Sequence, residues 1–426
     1  MRLMPSYVLA LCVVILSACG KEESRIAGNG GGIRYSVRSG VSVQAGTKAG
    51  VSFPGTEFAD LANSFIGLSA AFLPEGSNNF PDGTVNTPSN YFTNRRMSRN
   101  TENPATVGGH LSPGDPLLNG LDPHPWKTYP EAFWPYSGKL SFFAYAPYQE
   151  EMTPEFTVTG FGEGYAGGWP TITFQPDQDP ASQTDLLAGS TRDQDGKQLK
   201  QYYEGSNYVD LDLYHQLTWV DFQARVQKVE FSDDSEWNAW VSANGLAGSR
   251  IAVAAIHISG ILKSNSGSWS SAATSFTWDT PVFTDNTTEY ELSIENGTLY
   301  DVSAGGLTLD ELSYTTITMG SNQNDQSTSG RLYLLPHTLD SGALLTVDYG
   351  MYVLQDGVYV PKLMYQKEFA IGGIASNEWL PGKHFIYQMT LDITKASSCY
   401  VTATMEDWVD ANNNYNYGGK DHGLLE

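Results

Sequence analysis

A chain of 426 residues with a formal net charge of −23 is long enough to bury two or more hydrophobic cores and too acidic to hold nucleic acid or an anionic membrane surface by electrostatics. Aromatic residues make up 12% of the chain, tyrosine outnumbers phenylalanine 24 to 18, and 43 glycines accompany only 17% charged residues. That mixture suits strands and turns better than helix bundles.

The chain begins with Arg2, an apolar stretch from Tyr7 to Leu16, and the small residues Ser17 and Ala18 ahead of Cys19. This is the order of a secretory signal: basic region, apolar region, cleavage site. The apolar stretch falls short of the about 20 residues that span a bilayer and runs into the polar residues Lys21 to Ser24, so residues 1–18 read as a removed leader. Leu16-Ser17-Ala18-Cys19 resembles the bacterial lipobox, in which the cysteine is lipidated and becomes the mature N-terminus. Lys21-Glu22-Glu23 is similar to the short charged tag that routes some lipoproteins to the outer face of the outer membrane. If Cys12 leaves with the leader and Cys19 carries lipid, Cys399 has no partner, and neither an internal disulfide nor a thiolate metal site can form.

Residues 19–32, ending in Gly28-Asn29-Gly30-Gly31-Gly32, have no apolar periodicity and read as a lipidated tether. Ile33, Tyr35 and Val37 then alternate with polar residues, as do Val41 and Val43, which is the period of a half-buried strand. Thr56 to Leu68 is expected to hold a short helical turn. Further strand signals run over Leu140 to Tyr145, Thr171 to Phe174, Gln223 to Phe231, Ala252 to Ile261, Arg331 to Leu335, Leu344 to Val353 and Phe385 to Ile393, separated by Gly, Pro, Asn and Asp clusters. A second short helix is expected over Ser235 to Asn244. Short strands without a repeating unit suggest sandwiches and not a propeller or solenoid. The polar stretch Asp177 to Asp210 places a domain boundary near residue 207, dividing the mature chain into domains 33–206 and 207–426.

Chemistry is hard to find in this sequence. The seven histidines form no HxxxH, HExxH or HxH pair, and no nucleophile elbow, Walker loop or dinucleotide fingerprint is present. Asp193-Gln194-Asp195-Gly196 and the tail Asp410 to Asp421 crowd oxygen ligands but lack the ligand spacing of a helix-loop-helix calcium site, and read as solvated turns. The 47 acidic residues offer no spacing that singles out a glycosidase pair. Trp126, Trp134, Trp169, Trp269 and Trp278 could build a sugar-stacking platform, although core or edge packing is the reading such residues favour. No cofactor, metal ligand or catalytic residue is assigned, and the chain reads as a non-enzyme.

Four segments, in order, resemble the fimbrillin family, whose members form and cap the type V fimbriae of anaerobic gut and oral bacteria. The first is Trp134-Pro135 followed by Gly138, Leu140, Phe142, Ala144, Tyr145 and Pro147. The second is Asp185-Leu186-Leu187-Ala188-Gly189 with the strand Val209 to Tyr214 ending in His215-Gln216-Leu217. The third is Leu332 to Leu339, with His337 where the family usually has Gln. The fourth runs from Trp379-Leu380-Pro381-Gly382-Lys383-His384 through Tyr387 to Trp408. Lone His215 beside core residues reads as a packing residue.

The resemblance implies two transthyretin-like β-sandwich domains, export as a surface-exposed outer-membrane lipoprotein anchored at Cys19, and assembly with other fimbrial subunits by donor-strand exchange. In that mechanism a protease removes the N-terminal strand and another subunit fills the groove. Thr47-Lys48-Ala49 stands where many members carry an arginine cut site, so Lys48 is the first expected processing site and Arg38 the second, with Arg34 also nearby. The Asn-rich segment Asn412 to Asn416 and Gly418-Gly419 would make a poor donor strand, which leaves Tyr400 to Met405 as a donor, or an anchor, tip or accessory role. The leading expectation is a structural or adhesive fimbrial subunit that engages a host or bacterial surface ligand or glycan. The alternative is a carbohydrate-binding outer-membrane lipoprotein, and a glycosidase is the third.

Overall fold

The computed structural model describes residues 33–39, 65–76, 89–98, 126–159, 170–196 with 199, 209–227, 231–269, 275–302, 313–317, 332–356, 358–374 and 378–408. The expected all-β architecture is present. Its first strands are β1 (Arg34–Ser39), β2 (Ile66–Leu73), β3 (Ser89–Ser98), β4 (Trp126–Tyr129), β5 (Lys139–Ala146), β6 (Phe156–Thr159), β7 (Thr171–Phe174), β8 (Leu187–Gln194) and β9 (Val209–His215). Seven of them hydrogen-bond in a closed ring, in the order β1-β4-β3-β2-β5-β8-β9, around a core that includes Tyr35, Leu68, Trp126, Trp134, Phe142 and Leu211. Strand β9 lies beyond residue 206 and completes this ring by pairing with β8 and β1.

The second half contains β10 (Thr218–Gln227), α1 (Asp234–Ala243), β11 (Ser249–Leu262), β12 (Asn265–Trp269), β13 (Phe276–Trp278), β14 (Thr287–Asp301), β15 (Thr315–Thr316), β16 (Leu332–Leu334), β17 (Leu344–Gln355), β18 (Val358–Ala370), β19 (Lys383–Asp392) and β20 (Tyr400–Asp407). One sheet has the order β15-β10-β19-β20, with β16 also on β10, and the other has the order β14-β11-β17-β18. Their inner faces share one core, as in two sheets packed face to face. The logic is visible in β10, where Val220, Phe222, Ala224 and Val226 are buried and the intervening residues are half-exposed.

Helix α1 sits where the sequence placed a helix. The Asp233 carboxylate accepts from the Glu236 amide at 2.9 Å, an N-cap, and Trp237 and Val241 face the core. The turn expected over Thr56 to Leu68 is corrected at its described end: residues 66–68 belong to β2. Ile66-Gly67-Leu68-Ser69-Ala70-Ala71-Phe72-Leu73 is nearly all apolar and small, so its period cannot tell helix from strand. Tertiary pairing with β3 and β5 decides it.

A fourth sheet ties the halves together. Its order is β13-β12-β7-β6, and β7 pairs with β12 antiparallel from Asn265↔Phe174 to Ser268↔Thr171. This sheet covers the outside of β2 and β5, which explains why those strands are apolar on both faces. Leu140, Phe142 and Ala144 of β5 point into the closed ring, while Phe143 and Tyr145 point into a junction core with Phe174, Leu217, Trp269, Leu335 and Trp408.

Candidate functional site

Two places stand out: the seam closed by β1, and the junction between the halves. Strand β1 fills the gap between β4 and β9, antiparallel to the first (Tyr35↔Trp126) and parallel to the second, from Tyr35↔Val209 to Ser39↔Leu213. Ile33, Tyr35 and Val37 are each 5% exposed or less, and the Tyr35 ring meets Phe142 edge-on at 5.4 Å. The Ile33 amide adds a bond to the Ala132 carbonyl at 2.7 Å. If β1 left, two strand edges would lose their partner and an apolar trough would open. Arg38 stands on β1 in register with Asp212. Cys19 and Lys48 lie outside the described residues.

Residues from all four segments that carried the family resemblance reach the junction, the first through Tyr145, while Trp134, Leu140, Phe142 and Ala144 of that segment stay in the ring core. Asp185 Oδ2 lies 2.6 Å from His215 Nδ1, and the His215 ring stacks on Trp408 at 3.9 Å. Tyr333 stacks on Trp408 at 5.4 Å, and Trp219 lies 5.6 Å from the same indole. Backbone bonds lock these segments: Gly382 N to Leu217 O at 2.9 Å, Trp408 N to Gly382 O at 3.1 Å, and Trp379 N to His337 O at 2.9 Å. The Thr218 hydroxyl donates to Leu380 O at 2.8 Å, and the Tyr333 amide donates to Gln183 Oε1 at 2.8 Å. His215 is thus a buried packing residue held by a carboxylate. Nothing in the sequence marked Gln183 as the side chain that satisfies a buried strand amide, because the contact spans 150 residues.

Two other histidines share this region. His384 stacks on Trp219 at 3.7 Å and bridges Asp221 Oδ2 at 3.0 Å and Glu406 Oε1 at 2.9 Å. His337 lies in the junction wall with Nδ1 against the Leu335 carbonyl at 2.7 Å. Burial pulls its imidazole from the ordinary 6.5 down to about 4, against the opposing effects of the Leu335 bond and the Asp340 charge. It is therefore neutral near pH 7, with Nδ1–H donating.

Beside this packing a cleft of about 680 Å³ opens, lined among others by Phe276, Trp278, Asp279, Glu378, Trp379 and Lys383. Trp278 is half-buried, its Nε1–H donates to Gln216 O at 2.7 Å, and Phe276 meets its ring edge-on at 5.2 Å. Lys383 forms an ion pair with Asp407.

The sugar platform weighed for five tryptophans is not one surface. Trp126 and Trp134 are buried in the ring core, Trp269 is buried in the junction, Trp169 lies outside the described residues, and Trp278 alone of the five is described as part of the cleft wall. Among the described residues no three His, Cys, Asp or Glu side chains gather in a way that could hold a metal ion. Also among them, no helix is long and apolar enough to cross a membrane.

Comparison with solved structures shows similarity to a fimbrial protein from Bacteroides vulgatus, at 18% identity over 89% of this chain and 99% of that one, with a TM-score of 0.55. A candidate cell adhesion protein from Bacteroides uniformis is similar at 15% identity over 81% and 92% of the two chains, TM-score 0.39. A fimbrilin from Porphyromonas gingivalis is similar at 10% identity over 89% and 99%, TM-score 0.34. No curated protein sequence matches. The fimbrillin-like family model matches residues 117–408, about two thirds of the chain and all of the junction segments beyond Trp126, and on that match the chain belongs to the fimbrillin-like family.

Proposed function

We propose that this protein is a structural or adhesive subunit of a cell-surface fimbria, exported as an outer-membrane lipoprotein through Cys19 and assembled by strand exchange after proteolysis. The observation that carries the reading is β1. It is a short strand whose removal leaves one edge of β4 and one edge of β9 unpaired and vacates the space of Ile33, Tyr35 and Val37. Three such side chains represent roughly 1.5–3 kcal/mol each when reburied, so a donor strand with matching alternation is strongly retained. An exposed edge of this kind invites pairing with another chain.

Strand β20 supplies a matching alternation. Val401, Ala403 and Met405 recur at every second residue, and β20 is an edge strand whose described partner is β19. Val401 and Ala403 are only partly buried and the Met405 side chain is exposed, so these three side chains themselves bury little, whereas Trp408 directly after the strand is buried in the junction. The partners in this reading are other subunits of the same or related kind, and the membrane through lipid.

Limited trypsin treatment of the purified protein tests it, with N-terminal sequencing and light scattering. Cleavage at Lys48, or failing that Arg38, should convert a monomer into higher assemblies, while uncut protein stays monomeric. Assembled material from cells that still carries residues 20–48 would refute processing and favour an uncleaved anchor.

A further inference from the structure

We propose that the cleft at the junction is a binding site for a neutral saccharide, with Trp278 as the stacking surface. The inference stands apart from strand exchange, since an uncut monomer already carries the cleft. Its volume of about 680 Å³ lies within the range of small-ligand sites, and such sites favour domain interfaces.

The wall has the composition that a sugar requires. A pyranose presents an apolar C–H face and a rim of hydroxyls, so it needs a fixed aromatic plane beside polar groups. Trp278 keeps part of its surface exposed while its Nε1–H is held by Gln216 O at 2.7 Å and Phe276 braces its ring, so the plane is oriented before any ligand arrives. Trp408 cannot serve in its place, because it is buried with His215 stacked on it and Tyr333 alongside. Around Trp278, the exposed residues Thr277, Asp279, Thr338 and Glu378 bring hydroxyls and carboxylates that pair with sugar hydroxyls.

Charge selects among sugars. Among the described residues of the wall, Lys383 is paired with Asp407 and His215 with Asp185, while the exposed Asp279 contributes negative charge. Neutral His337 adds none near pH 7. A sialylated or sulfated glycan would meet like charge, and a neutral one would not.

The test uses the uncut, full-length monomer, with tryptophan fluorescence and calorimetric titration against cellotetraose, maltotetraose, chitotetraose and neutral lacto-N-neotetraose, each up to about 10 mM, a ceiling that detects dissociation constants near 1 mM. Sialylated lacto-N-neotetraose and a proline-rich decapeptide complete the set. At least one neutral tetrasaccharide should bind. Trp278→Ala should weaken it about tenfold or more, and Asp279→Ala, an exposed position, should weaken it by about threefold. Asp279→Ala should leave the melting temperature unchanged, so its effect is read even if Trp278→Ala unfolds. Sialylation should reduce affinity, and more so at low salt. The proposal is overturned if none of the neutral sugars binds, if both variants bind like the parent, if the sialylated form binds more tightly, or if only the peptide binds. None of those results would bear on whether cut protein polymerises.

Discussion

Replacing Trp408 with alanine empties one of the points at which both halves of the molecule touch. The indole is 1% exposed and packs in one core with Tyr145 and Ala188 from the first half and Leu262, Tyr333 and Leu335 from the second. A buried Trp removes about 150–250 Å² from water, which at about 25 cal/mol per Å² is roughly 4–6 kcal/mol as an upper bound. Large-to-small replacements of buried aromatics cost about 3–5 kcal/mol. We therefore expect a loss of about 3–5 kcal/mol, a large part of the 5–15 kcal/mol that typically holds a protein folded. Guanidinium unfolding followed by both fluorescence and circular dichroism reads it. The midpoint should fall, and because the junction is shared, the two signals should separate into two transitions once it is weakened. Trp408→Phe should recover part of the loss by keeping a ring against His215. A loss below about 1 kcal/mol with a single unchanged transition would refute the view that this residue couples the halves.

Gly189→Ala should be severely destabilising, because a Cβ there would lie 1.8 Å from the Asp212 carbonyl oxygen, a backbone atom that cannot rotate away. Gly373→Ala, where nothing lies within 4 Å, is the matched control, and equal melting temperatures for the two variants would sink the argument. His337 makes stability depend on pH: with the folded imidazole pulled down to about 4 and the unfolded one near 6.5, the unfolded chain binds the extra proton, so stability falls as pH drops from about 6.5 toward 4. The contribution is at most about 3 kcal/mol, and His337→Gln should show a flatter denaturation midpoint across that window than the parent. Cys19→Ser should abolish incorporation of a fatty-acid probe in cells, and equal labelling of mutant and parent would remove the lipoprotein reading.

Local pattern by itself determined a good deal of this molecule. The strand expected over Gln223 to Phe231 overlaps β10 at residues 223–227, where the alternation shows one buried face because side chains of period two must sort between core and solvent. The short helix expected over Ser235 to Asn244, around Trp237 and Trp240, corresponds to α1, which Asp233 caps. The ordered segments from Trp134 to Trp408 carried the family resemblance, and in the fold the first lies mainly in the ring core while the later ones meet at the junction. Tertiary structure decided what periodicity cannot encode. Ile66 to Leu73 and Lys139 to Ala146 are apolar on both faces only because a sheet assembled from β6, β7, β12 and β13 covers their outer side. Strand β18 escaped notice for the opposite reason: as an edge strand with mostly exposed side chains it buries too little to show a pattern. The fate of each tryptophan was also beyond the sequence. An indole beside polar residues reads the same whether it ends in a core like Trp269 or at a cleft like Trp278, since its exposure is set by whichever distant strand comes to lie over it.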